Sequence, residues 1–515
     1  MPGSPDVVKP KAMPELSESL ASAAPAAPVA SRVRRGPFEA VLADLNRGRP
    51  ALAQVRHDAT VPFGPSLKVE RFVVGNGLRV LLVEDHAAPV ICLQTWFGVG
   101  SRHERQGKTG IAHLFEHLMF GETEDVAHGA FDRLLEEAGA ETNAATWVDW
   151  TYYHMNLPKD ALPLAMKLEA GRIARLVLRD LQVSREKDVV ANERRQRVDD
   201  DVDGAVSEML YREVFKEHGY GWPTIGWMAD IQGFTTEDCL SFYRTYYAPN
   251  NASLVVVGDV NAEEVLRLVQ ENYGALEPSV LPIEDVRPEP SQTEERRLQT
   301  TQPTTTHKVA VGYRGPAFGD FDHAPFVILN EILFGGRSSR VHRALVQEQE
   351  IASELRGWVG TFRDPGLYDI YISARGEKTG AELLAALDPI LEAVKKEPVT
   401  QAELDRAKAR LELGTVQGLE NVSGKAEQVG FYETVLGDPA ALFEKLGAYR
   451  RVTLGDILRV ARRYLLTSAR VVIEVLPGEE GGEDEEDDAA ESGEGEAAPS
   501  SRRRDGLSSE TEVQA

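Results

Sequence analysis

The stretch Ile111-Ala-His-Leu-Phe-Glu-His-Leu-Met-Phe-Gly121 places two imidazoles and a carboxylate within five residues of an apolar run. On an α-helix His113 and His117, four apart, lie one turn above each other on one face. Glu116, one before the second His, projects close to that face and can reach a water held by the two rings. These residue types suit one chemistry. Two neutral imidazoles and a third protein ligand hold Zn²⁺, and the open fourth position takes a water whose pKa the metal lowers to about 7. A neighbouring carboxylate then accepts that water's proton as it attacks a carbonyl. The order His-x-x-Glu-His is the inverted zinc-peptidase pattern. Three fixed positions also recur by chance in long chains, so the motif calls for a third ligand.

Downstream, Ser184-Arg-Glu-Lys-Asp-Val-Val-Ala-Asn-Glu-Arg-Arg-Gln-Arg197 sets Glu186 and Glu193 seven apart, two turns along one helical face. Glu193 can be the third ligand. Glu186, on the same stripe, suits an outer role, bonding a ligand His and fixing its orientation. Glu is also common on solvated helix faces, which is the plain alternative.

Together these residues resemble the pitrilysin/insulinase-like inverzincins, and more closely their processing-peptidase branch. The resemblance rests on His113, Glu116 and His117, on Glu186 and Glu193 at the family's spacing, and on Glu141-Thr-Asn-Ala-Ala-Thr-Trp-Val-Asp-Trp-Thr-Tyr-Tyr153, similar to the family's Asn-Ala strand. It extends from about Val69 to Val475. It implies a zinc metalloendopeptidase with one Zn²⁺ per chain, ligated by His113, His117 and Glu193. Glu116 is then the base and Glu186 an outer positioning group. An extended or unfolded peptide would add as a strand beside Asn143 and Ala144.

The chain has 515 residues, a prior for three to four domains of ordinary size, and 42% hydrophobic content, which fits a globular protein. Its net charge of -25 is concentrated: Gly478 to Glu496 carries eleven acidic side chains and no Lys or Arg. Residues 477–515 read as an acidic disordered tail and residues 1–66, rich in Ala, Pro and Ser, as a disordered N-terminal segment. The acidic balance argues against nucleic acid, because phosphate binding needs clustered Lys and Arg. No run approaches 18 apolar residues, so no membrane span is expected. Cys92 and Cys239 alone imply neither a disulfide framework nor a thiolate metal site. No secretory signal is evident, and the expected location is cytoplasmic, with organellar or periplasmic sites left open.

Between its ends the chain reads as a zinc-binding half (67–278), a Pro-rich linker (279–304) and a second half (305–476) without a metal motif. Two β-rich runs flank Asn76-Gly77, the strongest short hairpin signal. The second half repeats the first. Thr235-Thr-Glu-Asp-Cys-Leu aligns with Thr453-Leu-Gly-Asp-Ile-Leu at an offset of 218, and Leu254-Val-Val-Val lies opposite Val472-Ile-Glu-Val. The expected fold class is α+β: two homologous sandwich halves, each an antiparallel-rich sheet packed with helices.

Family members that act alone carry, after a glycine-containing stretch like Leu333-Phe-Gly-Gly-Arg-Ser-Ser-Arg340, an Arg and, seven residues on, a Tyr that hold the substrate carbonyl and oxyanion. Here those positions are Val346 and Ser353. The departure implies a heterodimer in which a homologous chain supplies the Arg/Tyr half of the site. A shift of a few residues in the alignment would instead bring Arg343 or Arg356 into the role, or Tyr432, near the end of a later helix, would supply the phenol. From a different class, the alternative is a non-catalytic family member acting as a scaffold or peptide-binding subunit. A scaffold has no physical reason to keep His113, Glu116, His117 and Glu193.

Overall fold

The computed structural model describes residues 38–284 and 288–478. The first sheet is built from Val55–Phe63 (β1), Leu67–Val74 (β2), Arg79–Glu84 (β3), Val90–Phe97 (β4), Glu141–Thr146 (β5), Thr151–Pro158 (β6) and Ala252–Gly258 (β7), in the order β1-β2-β3-β7-β4-β6-β5. The second uses Arg296–Gln302 (β8), Lys308–Arg314 (β9), Ala352–Val359 (β10), Leu367–Ala374 (β11) and Arg470–Pro477 (β12), in the order β8-β12-β9-β11-β10. Only β3 with β7 and β8 with β12 run parallel. The five strands β3-β7-β4-β6-β5 thus correspond in order and direction to β8-β12-β9-β11-β10. The second sheet is the first without its β1 and β2 strands, so the fold is the expected pair of antiparallel-rich halves. The repeat extends to helix starts: Thr235 and Thr453 each close a capping box with an Asp three residues on.

Two expected boundaries need correction. The helix Glu39–Leu45 and most of β1–β2 fall inside or beside the segment 1–66 expected to be disordered. The helix Glu39–Leu45 buries Leu45 and packs Val41 and Leu42 on the core, and β1 pairs with β2. Both elements are short or polar and sit at the sheet's margin, so their apolar signal is weak beside the Ala/Pro-rich start. Likewise β8 lies inside the expected linker 279–304. Its sequence Arg-Arg-Leu-Gln-Thr-Thr-Gln has almost no apolar content, and its pairing with β12 joins residues far apart in sequence. Two described linker residues are tied to the folded halves. Backbone N–H groups of Lys216, Glu217 and His218 donate to the Glu289 carboxylate at 2.8–2.9 Å, and Glu284 meets both Arg102 and Arg363 at 2.9 Å. Residues 1–37 and 479–515, which hold most of the expected disordered ends, lie outside the described residues.

The central strands read as unbroken apolar runs because both their faces are covered. Val80, Leu82, Leu93, Phe97, Leu254 and Val256 join the core beneath the helices of their own half. The alternate residues Leu81, Val83, Cys92, Trp96, Val255 and Val257 meet Ala426, Val429 and Phe431, on the helix Val422–Leu436 of the second half. The exchange is reciprocal. Val206, Leu210 and Val214, on the first-half helix Val202–Val214, pack on Ala310, Val471 and Ile473 of the second sheet. Gly430 lets Trp96 approach one helix, and Gly312 lets Leu210 and Val214 approach β9. Each half therefore completes the other's sandwich, and apolar burial of this kind supplies ~1.5–3 kcal/mol per large side chain. Cys92 and Cys239 are both buried, which pushes each thiol up to about 12.

Candidate metal centre

The motif residues form the helix Ile111–Leu118. Ile111, Ala112, Leu114, Phe115 and Leu118 are buried against the first sheet, which turns the i, i+3, i+4 stripe of His113, Glu116 and His117 away from it. The helix start is fixed by Glu104, whose carboxylate accepts the N–H groups of Gly110 and Ala112 at 2.8 Å each. This carboxylate satisfies two orphan donors at the positive end of the helix. Gly110 has φ +89° and its Cα faces Gly226, itself at φ +88°. A Cβ on either would fall within 2.3 Å of the other segment's backbone, so only glycine fits this crossing.

Across the stripe lies the helix Asp180–Arg194, held by buried Val183, Val190 and Ala191. Its seven-residue spacing brings Glu193 close to both imidazoles and Glu186 close to His117. Glu193 Oε2 stands 3.3 Å from His117 Nε2 and 3.7 Å from His113 Nε2. One ligand atom from each of the three residues lies within 4.8 Å of the others. Zinc bonds of 2.0–2.1 Å in tetrahedral array separate ligand atoms by about 3.3 Å, so two nitrogens and a carboxylate oxygen at these spacings fit Zn²⁺. Glu186 Oε2 is 3.7 Å from His117 Nδ1, beyond hydrogen-bond length. His113 Nδ1 is buried with no hydrogen-bond partner among the described residues.

Charge follows position. Burial pulls His113 down to about 4. Burial also opposes a proton on His117, but the hydrogen bond and charge of Glu193 outweigh it and raise that ring's pKa. Burial pushes the Glu116 carboxyl up, toward the range that suits a base at neutral pH.

Asn143 and Ala144 sit on β5, the terminal strand of the first sheet. Ala144 N–H donates to Asn143 Oδ1 at 2.8 Å, a side chain on its own strand. Val346 lies in the π-helical segment His342–Glu348 and Ser353 on β10, where its hydroxyl donates to Ala374 O at 3.1 Å. The alternatives are engaged elsewhere. Arg343 pairs with Glu348 and Arg356 with Asp369, and Tyr432 is buried at the seam 5.3 Å from Phe318. Among the described residues no hydrogen bond or ion pair links these positions to His113, His117 or Glu193. Sequence reading missed Glu104, the Gly110–Gly226 crossing and Arg194. The glycine just before an apolar run was the one visible signal, since Gly is tolerated at N-caps.

No helix among the described residues is long and apolar enough to cross a membrane. Residues 79–226 match the family described as Insulinase (Peptidase family M16), and residues 233–411 match the Peptidase M16 inactive domain. The zinc protease PqqE of Helicobacter pylori is 31% identical over 417 residues, covering 80% of this chain and 93% of that protein. The mitochondrial-processing peptidase subunit beta of Lentinula edodes is 26% identical over 427 residues, covering 79% and 89%. The crystal structure of a protease from Helicobacter pylori superposes with a TM-score of 0.77 at 30% identity, covering 80% of this chain and all of that one. With its two-half fold and its inverted His-x-x-Glu-His helix, the chain belongs to peptidase family M16, the insulinase family.

Proposed function

We propose that this chain is the zinc-bearing subunit of an M16 endopeptidase that cleaves extended or unfolded peptides, and that a homologous chain completes its site. The observation that carries the reading is the convergence of His113, His117 and Glu193 beside Glu116, on a helix that packs against β5, the terminal strand of its sheet. Zn²⁺ held by these three residues would acidify a bound water and polarise the scissile carbonyl. The chain's own residues do the rest. Glu116, one residue from His117 and raised in pKa by burial, takes the proton and passes it to the departing amine. The edge of β5 pairs with the substrate backbone, and the Ala144 N–H exchanges its bond to Asn143 for one to a peptide carbonyl. Glu186, whose Oε2 lies 3.7 Å from His117 Nδ1, would orient that ring from its Nδ1 side.

Charge developing on the carbonyl oxygen needs a donor, and Val346 has none while Ser353 spends its hydroxyl on β11. A missing oxyanion donor costs about 10²–10³ in rate, which is the reason for a partner that brings Arg and Tyr. The name of the fungal relative, a subunit, agrees with this. The match of residues 233–411 to the inactive domain favours a non-catalytic role for the second half, not for the whole chain. The test is to express the chain alone and with a homologous chain that carries the Arg and Tyr, then assay an unfolded peptide at equal zinc loading. Activity should rise at least a hundredfold in the pair, and full activity from the isolated chain would defeat the partner requirement.

A further inference from the structure

The three proposed ligands come from two helices, so the metal geometry depends on how Ile111–Leu118 and Asp180–Arg194 are held together. Glu193 stands in the last turn of its helix, and the backbone passes at once into the π-helical segment Arg195–Asp199. The hydrogen-bond register changes here from i→i−4 to i→i−5, so the position of this turn depends on the contacts its own side chains make. The next residue, Arg194, is buried, with 7% of its side chain exposed. Its guanidinium forks onto Glu208 at 2.7 and 3.1 Å, and the same Nη1 donates to Gly226 O at 2.8 Å. It also lies 5.6 Å from the centre of the Trp227 ring.

Gly226 is the glycine that crosses Gly110, the N-cap of the motif helix. Around that crossing, Thr109 donates from both N–H and Oγ1 to Asp230 at 3.0 and 2.7 Å and accepts from Trp227 N–H at 3.0 Å. A continuous path therefore runs from the turn bearing Glu193, through Arg194 and the Gly226 carbonyl, to the start of the helix bearing His113 and His117. We infer that Arg194, anchored by Glu208, is the positioning residue that fixes Glu193 against the two imidazoles and so sets metal affinity. The inference rests on His113, His117 and Glu193 being the ligands. Lysine would be a poor replacement: an ammonium cannot fork onto a carboxylate and reach a carbonyl in the same plane.

The test uses the full chain with R194K, R194M and the pair R194M/E208M, which removes both charges so that neither is left buried alone. Thermal melting of each metal-free protein reports the fold. Zinc titration against a chelator and the d–d absorption of the Co²⁺ form then report the site directly. R194M and R194M/E208M should melt as folded proteins, bind zinc about 10- to 100-fold more weakly, as outer groups of metal sites typically do when lost, and show altered Co²⁺ bands. R194K should recover part of the affinity through a single donor. Wild-type zinc affinity and an unchanged Co²⁺ spectrum in either methionine variant would overturn the inference. So would unfolding of both, which would assign Arg194 to the stability of the half instead. Failure of the wild-type chain to bind zinc at all would count against the ligand assignment, a separate result.

Discussion

Gly430→Ala should unlock the seam where the second half covers the first sheet. A Cβ at this position would stand 2.1 Å from Trp96 Nε1 and 2.5 Å from its Cδ1. Trp96 cannot step aside cheaply: it is 1% exposed, stacks on Tyr152 at 4.3 Å with 9° between planes, and donates to Gln94 Oε1 at 2.8 Å. Overpacking a core costs about 1–3 kcal/mol. The disturbed aromatic pair adds about 0.5–1.5 kcal/mol, and a buried donor pulled off its acceptor about 1–3 kcal/mol. Alanine returns about 0.5–1 kcal/mol through its helix preference, so a net loss of about 1.5–7 kcal/mol is expected. Gly414 is the control. It lies inside the helix Gln401–Gln417 with nothing within 4 Å of an added Cβ, and Gly414→Ala should stabilise by about 0.5–1 kcal/mol. Urea unfolding followed by tryptophan fluorescence reads both. A Gly430→Ala midpoint equal to wild type would refute the interlocked seam. Because the motif helix packs on the opposite face of that sheet, the folded variant should keep its zinc.

Zinc affinity should depend on pH in two stages. His117 must lose its proton to ligate, and Glu193 raises that ring's pKa while burial holds His113 at about 4. Log affinity should fall by about one per pH unit below the His117 pKa and by about two below pH 4, and a flat profile from pH 7 to 5 would count against ligation by His117. Glu116→Gln should keep its zinc while peptide hydrolysis drops about 10²-fold or more; retained turnover in a zinc-loaded sample would move the base elsewhere. Glu186→Gln should be milder, about 10- to 100-fold in zinc affinity or activity, and a loss as complete as that of Glu193→Gln would make Glu186 a ligand.

Much of this arrangement is written locally. Spacings of three and four on one helix put His113, Glu116 and His117 on one face, and a spacing of seven puts Glu186 and Glu193 on one face of another, because helix geometry converts spacing into direction; that the two faces meet is tertiary. The Asn76-Gly77 hairpin and the paired Thr-Asp capping boxes are equally local. What sequence hides is exchange between distant segments. Leu254-Val-Val-Val announces a strand buried on both faces, but nothing in it says that one cover is the helix Val422–Leu436 of the other half. β8 is polar and belongs to a sheet only because β12, far along the chain, pairs with it. Arg194 looks like one more charge in an Arg-rich run, and its role depends on meeting Glu208 and the Gly226 carbonyl.

Elemental analysis of the purified chain, beside His117→Ala and Glu193→Gln, tests the metal assignment most directly. Wild type should carry close to one zinc per polypeptide, and each substitution should remove most of it, since catalytic zinc is held by three protein ligands and each variant leaves two. Zinc undiminished in His117→Ala would contradict the site as assigned.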